Sequence, residues 1–319
     1  MMPYLLLIIG FGLLIKGADL LVQGASSVAR QLRVSDLVIG LTVVAFGTSS
    51  PELFVNVTAS SLGNTEIAIA NVLGSNIANI LLVLGVASVI YPLRVQKGTA
   101  WKEIPLGLLA ACVLGVLAND TMIDGASFSA LTRIDGLVFL SFFMIFMYYS
   151  FSIAKVSEPM KDLVPAKRHG ILVAILMIGG GLIGLTVGAR WIVDSAVRIA
   201  LRFGLSESFV GLTIVAIGTS LPELATAAVA AFKRNAEIAM GSVVGSNIFN
   251  IFFVLGITST INPLPFQPKN NIDIAMVILA SFLLFLCMFT GRTRLLDRWE
   301  GLSFLLLYGG YLAFLVIQG

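Results

Sequence analysis

The chain has 319 residues, 58% of them hydrophobic and only 12% charged, with a mean hydropathy of +0.99 and a formal charge of +3. A soluble domain is about 45–50% apolar and about 25% charged, so a water-soluble globule and a disordered chain are both excluded. Two cysteines are too few for a secreted disulfide scaffold, and the scattered charge leaves no nucleic-acid footprint. What remains is a polytopic membrane protein.

Apolar runs of about 20 residues, enough to cross a bilayer, recur along the chain. Ten are read, at 3–22, 36–61, 66–90, 103–119, 132–152, 170–190, 207–232, 237–261, 272–290 and 299–317. Backbone in lipid must satisfy its own hydrogen bonds, and the runs do not alternate as barrel strands do, so all ten are expected to be helices. The start, Met1-Met2-Pro3, has no basic region or small-residue cleavage site, and the first span is read as retained. With the N-terminus outside, 14 lysines and arginines fall on inner loops and 5 on outer segments. The positive-inside rule therefore places both termini outside, in a plasma membrane or bacterial inner membrane.

The chain contains itself twice. Gly40-Leu-Thr-Val-Val-Ala-Phe-Gly-Thr-Ser-Ser-Pro-Glu52 returns as Gly211-Leu-Thr-Ile-Val-Ala-Ile-Gly-Thr-Ser-Leu-Pro-Glu223, and Gly74-Ser-Asn-Ile-Ala-Asn-Ile80 as Gly245-Ser-Asn-Ile-Phe-Asn-Ile251. Both pairs are offset by 171, and from Val34 to Pro92 30 of 59 positions are identical without a gap, which chance cannot produce. Arg133-Ile-Asp-Gly136 returns as Arg298-Trp-Glu-Gly301 at offset 165. Five spans per copy is an odd number, so the second copy enters the membrane from the opposite side. The expected architecture is thus an all-α membrane protein of ten transmembrane helices in two inverted-topology repeats, the plan of many secondary transporters. Residues 1–152 form the first, 153–169 a cytoplasmic linker and 170–319 the second.

Glu52 and Glu223 interrupt otherwise apolar spans. Counted from the turn at Gly63-Asn64, Glu52 and Asn79 lie roughly 18 and 22 Å deep at about 1.5 Å per residue. The inverted copy puts Glu223 and Asn250 at the same depth from the opposite face. Pro51 and Pro222 cannot donate a helical hydrogen bond, so carbonyls between Ala45 and Gly47 are expected to lose partners. Thr48 and Glu52 share a helix face, as do Ser75 and Asn79. Carboxylates, hydroxyls, amide oxygens and carbonyls without His or Cys suit hard cations such as Ca²⁺ and Na⁺, not zinc or copper. Two carboxylates balance one Ca²⁺ or two Na⁺. The bare pair in low dielectric is costly, so an empty site resists being carried across, which is what coupled exchange requires.

The doubled Gly-Thr-Ser-x-Pro-Glu and Gly-Ser-Asn-Ile-x-Asn-Ile motifs resemble the two alpha-repeats of the cation/calcium antiporter superfamily, and most of all its prokaryotic sodium/calcium exchangers. The resemblance spans the whole chain. It implies exchange of about three Na⁺ for one Ca²⁺ by alternating access, with no cofactor and with lipid and the two ions as the partners. It also implies Ca²⁺ ligation by Glu52, Glu223, Thr48 and Thr219. Sodium sites would use Ser49, Ser75, Ser220, Ser246 and the carbonyls of Ala45 and Ala216. The first and sixth spans would form a gate sliding across the remaining core. Some relatives, potassium-dependent exchangers among them, carry aspartate where this chain has Asn250. Asparagine in both halves disfavours potassium dependence, and the absence of the acidic motif of calcium/proton exchangers favours Na⁺ as counter-ion.

The alternatives are a Ca²⁺/H⁺ antiporter and a cation channel; against the latter, two half-repeats do not make a symmetric ring around a pore. Other conspicuous residues read as architecture. Ser35-Asp36, Ser206-Glu207, Glu66, Glu237, Asp135 and Glu300 open spans. Lys16 pairs with Asp19 or snorkels, Cys112 and Cys287 fill apolar spans, and His169 is inert at the linker edge. Gly47-Thr-Ser-Ser-Pro lacks the closing glycine and the strand of a nucleophile elbow, so hydrolase chemistry and catalytic residues are not expected.

Overall fold

The structure, a computed structural model, describes residues 2–63, 65–154, 169–202, 216–291 and 293–318. Apolar helices dominate it: α1 (Met2–Leu32), α2 (Asp36–Thr48), α3 (Ser50–Ser61), α4 (Ala68–Ile90), α5 (Thr99–Leu117) and α6 (Arg133–Ile153) in the first half. The second half contains α7 (Ile171–Arg202), α8 (Ala216–Thr219), α9 (Leu221–Phe232), α10 (Ala236–Ile261), α11 (Pro268–Cys287) and α12 (Arg298–Ile317). Among the described residues, eight helices are long and apolar enough to cross a membrane by themselves. A ninth crossing is the pair α2–α3, bent by 42° at Ser49. The expected 153–169 linker and the Ser206-Glu207 helix start lie largely or wholly outside the described residues.

The first and sixth expected spans are corrected in length. The apolar runs end near 22 and 190, but α1 and α7 continue to Leu32 and Arg202. Lys16, Asp19, Gln23, Arg190 and Asp194 lower the hydropathy without breaking a helix, and α1 is followed by Arg33 in a left-handed conformation (φ 56°). At about 1.5 Å per residue each helix is roughly 46 Å long, well beyond the ~30 Å hydrocarbon layer, so both must tilt or project.

Glycines position these two helices. A Cβ at Gly10 would meet the carbonyl of Gly188 at 3.0 Å, one at Gly17 that of Gly181 at 2.8 Å, and one at Gly24 that of Ala174 at 2.8 Å. The partners descend along α7 as α1 ascends, so the helices run antiparallel with their backbones in contact, as small residues allow between membrane helices. Gly181 and Gly188 lie 171 residues after Gly10 and Gly17, so the contact is reciprocal.

The same exchange recurs elsewhere. β1 (Leu93–Arg94) pairs antiparallel with β4 (Leu295–Leu296), and β2 (Ala130–Leu131) with β3 (Leu264–Pro265). Gly85 abuts Gly301 and Gly136 abuts Gly256. Each contact joins one half to the other, and each has a partner at the repeat offset. On one face α1 is also tied to the end of α9, where Lys233 pairs with Asp19, itself bonded to Lys16 at 3.0 Å and Gln23 at 2.8 Å. The helix starts agree with the sequence at Ser35, whose hydroxyl accepts from Val38 N–H. They agree at Glu237 too, which lies in the first turn of α10. Asn235 caps that helix, and the Glu237 carboxylate in addition accepts from the Leu37 N–H of α2 and from Gln96. Gln31 donates to the His169 carbonyl.

Gly17→Val places carbon where backbone already stands and is expected to abolish recovery of monodisperse protein in detergent. Gly12→Ala, which meets nothing within 4 Å, is expected to leave chromatographic profile and melting temperature unchanged.

Candidate functional site

Two broken helices carry the glutamates to the centre. Ser49 and Ser220 interrupt the helices in nearly the same backbone conformation, φ −83°, ψ 0° and φ −87°, ψ 4°. This bridge region is sparsely populated and frequent at functional sites. Pro51 and Pro222 follow two residues later, where proline is tolerated at a helix start. The new helices begin with Glu52 and Glu223 in their first turns. The expectation of freed carbonyls holds differently than foreseen. The Ala45 carbonyl is not orphaned: it accepts from Ser49 N–H at 2.9 Å and from the Thr48 hydroxyl at 3.3 Å. The carbonyl that Pro51 cannot serve is that of Gly47. Ala45 can still offer a second lone pair, since a carbonyl has two. Ala216 opens α8 at the equivalent place.

Glu52 and Glu223 are each 1% exposed, and all four of their carboxylate oxygens lack a protein hydrogen-bond partner. The Glu223 carboxylate is near enough to Glu52 for its charge to be felt there. Among the described residues no basic side chain is paired with either acid. Thr48 also meets Ser246 of the other half at 3.3 Å. The Ser49, Ser75 and Ser220 hydroxyls are buried and unpartnered, as are the side-chain oxygens of Asn79 and Asn250. Thr219 is half-buried at the end of α8. The buried atoms without a hydrogen-bond partner among the described residues thus include four carboxylate oxygens, two amide oxygens and three serine hydroxyls.

Such an array is unstable by itself. An unpaired carboxylate at the bilayer centre costs about 2.5–3.5 kcal/mol on insertion scales, and a second one facing it adds repulsion. A hard cation removes both penalties, and oxygen-only ligands are what Ca²⁺ and Na⁺ take. Among the described residues no cluster of three or more His, Cys, Asp or Glu side chains occurs. Oxygen ligands of this kind suit hard cations better than transition metals.

Sequence reasoning missed Asn76 and Asn247. Asn79 donates its amide nitrogen to the side-chain oxygen of Asn247 at 3.0 Å, and Asn250 donates to that of Asn76 at 3.1 Å. Asn76 and Asn247 donate in turn to each other's backbone carbonyls, at 3.2 and 3.3 Å. Both were visible as duplicated asparagines in the Gly-Ser-Asn motif. Also unforeseen are the π-helical turns at Asn79–Val83 and Phe249–Leu255, which include Asn79 and Asn250 in their first residues.

Residues 2–152 and 173–317 match the family described as sodium/calcium exchanger protein. The chain belongs to that family. A solved structure of the sodium-calcium exchanger NCX_Mj, soaked with 2.5 mM Na⁺ and 0.1 mM Sr²⁺, superimposes with a TM-score of 0.84 at 34% identity over 98% of each chain. Sodium/calcium exchanger MaX1 of Methanosarcina acetivorans is 31% identical over 98% of this chain and 97% of its own. Inner membrane protein YrbG of Escherichia coli is 37% identical over 98% of this chain and 95% of its own. As a sodium/calcium exchanger family member the chain is a helical membrane transporter, not an enzyme.

Because the oxygens lack partners without an ion, Ca²⁺ is expected to stabilise the purified protein. At 100 times the dissociation constant the gain is about 2.7 kcal/mol, read as a rise of several degrees in melting temperature over protein in chelator. The double variant Glu52→Gln, Glu223→Gln is expected to show no rise.

Proposed function

We propose that the chain is a Na⁺/Ca²⁺ antiporter working by alternating access, with Glu52 and Glu223 sharing the transported Ca²⁺. The observation that carries this reading is the pair of buried, unpartnered carboxylates, one from each half. Thr48 and Thr219 complete the Ca²⁺ site. Ser49, Ser75, Ser220 and Ser246, with the carbonyls of Ala45 and Ala216, serve Na⁺, and Asn79 and Asn250 supply neutral oxygens between. A third Na⁺ would exceed the charge of the acids, so exchange at about three to one moves net charge.

The scaffold for this is ten helices in two inverted repeats, residues 1–152 and 170–319, joined by a cytoplasmic linker. The antiparallel α1–α7 contact and the reciprocal pairing of Gly85 with Gly301 and Gly136 with Gly256 support it. The glycine-lined pair α1–α7 serves as the gate that slides over the core. The Asp19–Lys233 pair supports a resting state closed on the basic, inner face. At the repeat offset its counterparts are Arg190 and Leu62, which cannot form it. Both termini lie outside. The basic loop bias and the name of the Escherichia coli relative support a bacterial inner membrane.

In sealed vesicles loaded with Na⁺, ⁴⁵Ca²⁺ uptake is expected to require the outward Na⁺ gradient and to rise with an inside-positive potential. Glu52→Gln and Glu223→Gln are each expected to reduce it at least a hundredfold while leaving the chromatographic profile intact. Uptake driven by a pH gradient in sodium-free buffer indicates a proton antiporter instead; uptake with no opposing gradient indicates a channel.

A further inference from the structure

We propose that Asn76 and Asn247 are positioning residues that lock Asn79 and Asn250 with their oxygens, not their nitrogens, turned toward the transported cation. The inference rests on the antiport reading and adds a determinant of cation affinity to it. An asparagine amide is ambiguous by itself. Rotated by half a turn, it presents two N–H donors where it had presented an acceptor, and a donor beside two carboxylates would substitute for the cation instead of binding it.

The bonding pattern removes that ambiguity from the backbone outward. A backbone carbonyl can only accept, so the bonds at 3.2 and 3.3 Å to the carbonyls of Asn247 and Asn76 identify the nitrogens of Asn76 and Asn247. Their side-chain oxygens must then face Asn250 and Asn79. An oxygen can hold only a donor there, so the nitrogens of Asn79 and Asn250 are identified too. What remains of the quartet is two unpartnered atoms, Asn79 Oδ1 and Asn250 Oδ1, both acceptors. Reversing either ligand amide would set oxygen against oxygen at hydrogen-bond distance. All four asparagines are 0–5% exposed, so water is not at hand to rescue the reversed form.

The lock also crosses the molecule. Asn79 of α4 is held by Asn247 of α10, and Asn250 of α10 by Asn76 of α4. Each half thus sets the orientation of the other half's ligand. The two helices are tied where the π-helical turns would otherwise leave them free to shift.

The test is equilibrium binding of Na⁺ and Ca²⁺ to purified protein by calorimetry, alongside melting temperature without ions. Asn76→Ala and Asn247→Ala are expected to weaken cation binding about tenfold, the scale of one lost hydrogen bond to a charge-binding group. Aspartate has no nitrogen to misdirect, so Asn250→Asp in the Asn76→Ala background is expected to restore binding to within about threefold of Asn250→Asp alone. A defect of packing would not be restored that way. Serine at position 76 replaces alanine if the alanine variant does not fold, and is held to the same outcomes. Unchanged affinity in the single variants, or a loss in Asn76→Ala that Asn250→Asp does not repair, overturns the proposal. Absence of cation binding in the unaltered protein overturns the antiport reading itself.

Discussion

Two buried carboxylates, one from each half, with no ion-pair partner among the described residues, are the constraint on which the rest of this molecule depends. A charge can stay buried only if it is paired, coordinated or neutralised. Among the described residues Glu52 and Glu223 have no hydrogen-bond partner, so a bound cation or a proton has to supply what the protein does not. Backbone breaks at Ser49 and Ser220 bring the acids to the start of their helices, and under the proposed function the hydroxyls and amides add oxygens without adding charge.

The two-fold pattern of contacts gives the site its form. Glycine seams, two-residue strand pairs and the asparagine quartet each join a residue of one half to the counterpart of its neighbour in the other. A site built at such a centre takes equivalent ligands from both sides of the membrane, which suits a cargo that must be reached from each face in turn. The Asp19–Lys233 pair breaks that equivalence at the periphery, where the two faces of a transporter need to differ.

Much of this was legible in the residues. The repeat located Glu52 and Glu223 because an acid in an apolar run, present twice at a fixed offset, has few structural explanations. The helical class followed from hydropathy alone. The lengths of α1 and α7 did not, because hydropathy measures lipid exposure whereas a helix ends only where backbone geometry or packing ends it. The expected stretch of freed carbonyls, Ala45 to Gly47, is too wide at its start, because the Ser49 N–H and the Thr48 hydroxyl reach the Ala45 carbonyl, whereas Gly47 lies four residues before Pro51. Glu237 was read as a helix-start residue, and its bonds to Leu37 and Gln96 depend on tertiary neighbours. The roles of Asn76 and Asn247 lay in plain view in the duplicated motif. The bonds among the four asparagines cross between the halves, and the π-helical turns that begin at Asn79 and Phe249 have no local signal in the sequence.

Anomalous scattering from crystals soaked in Sr²⁺, a stand-in for Ca²⁺, gives the most direct evidence on the shared-cation site. One dominant peak bridging the Glu52 and Glu223 carboxylates, absent from the Glu52→Gln, Glu223→Gln protein, is the expected result. A peak elsewhere in the protein with none between the two acids would contradict it.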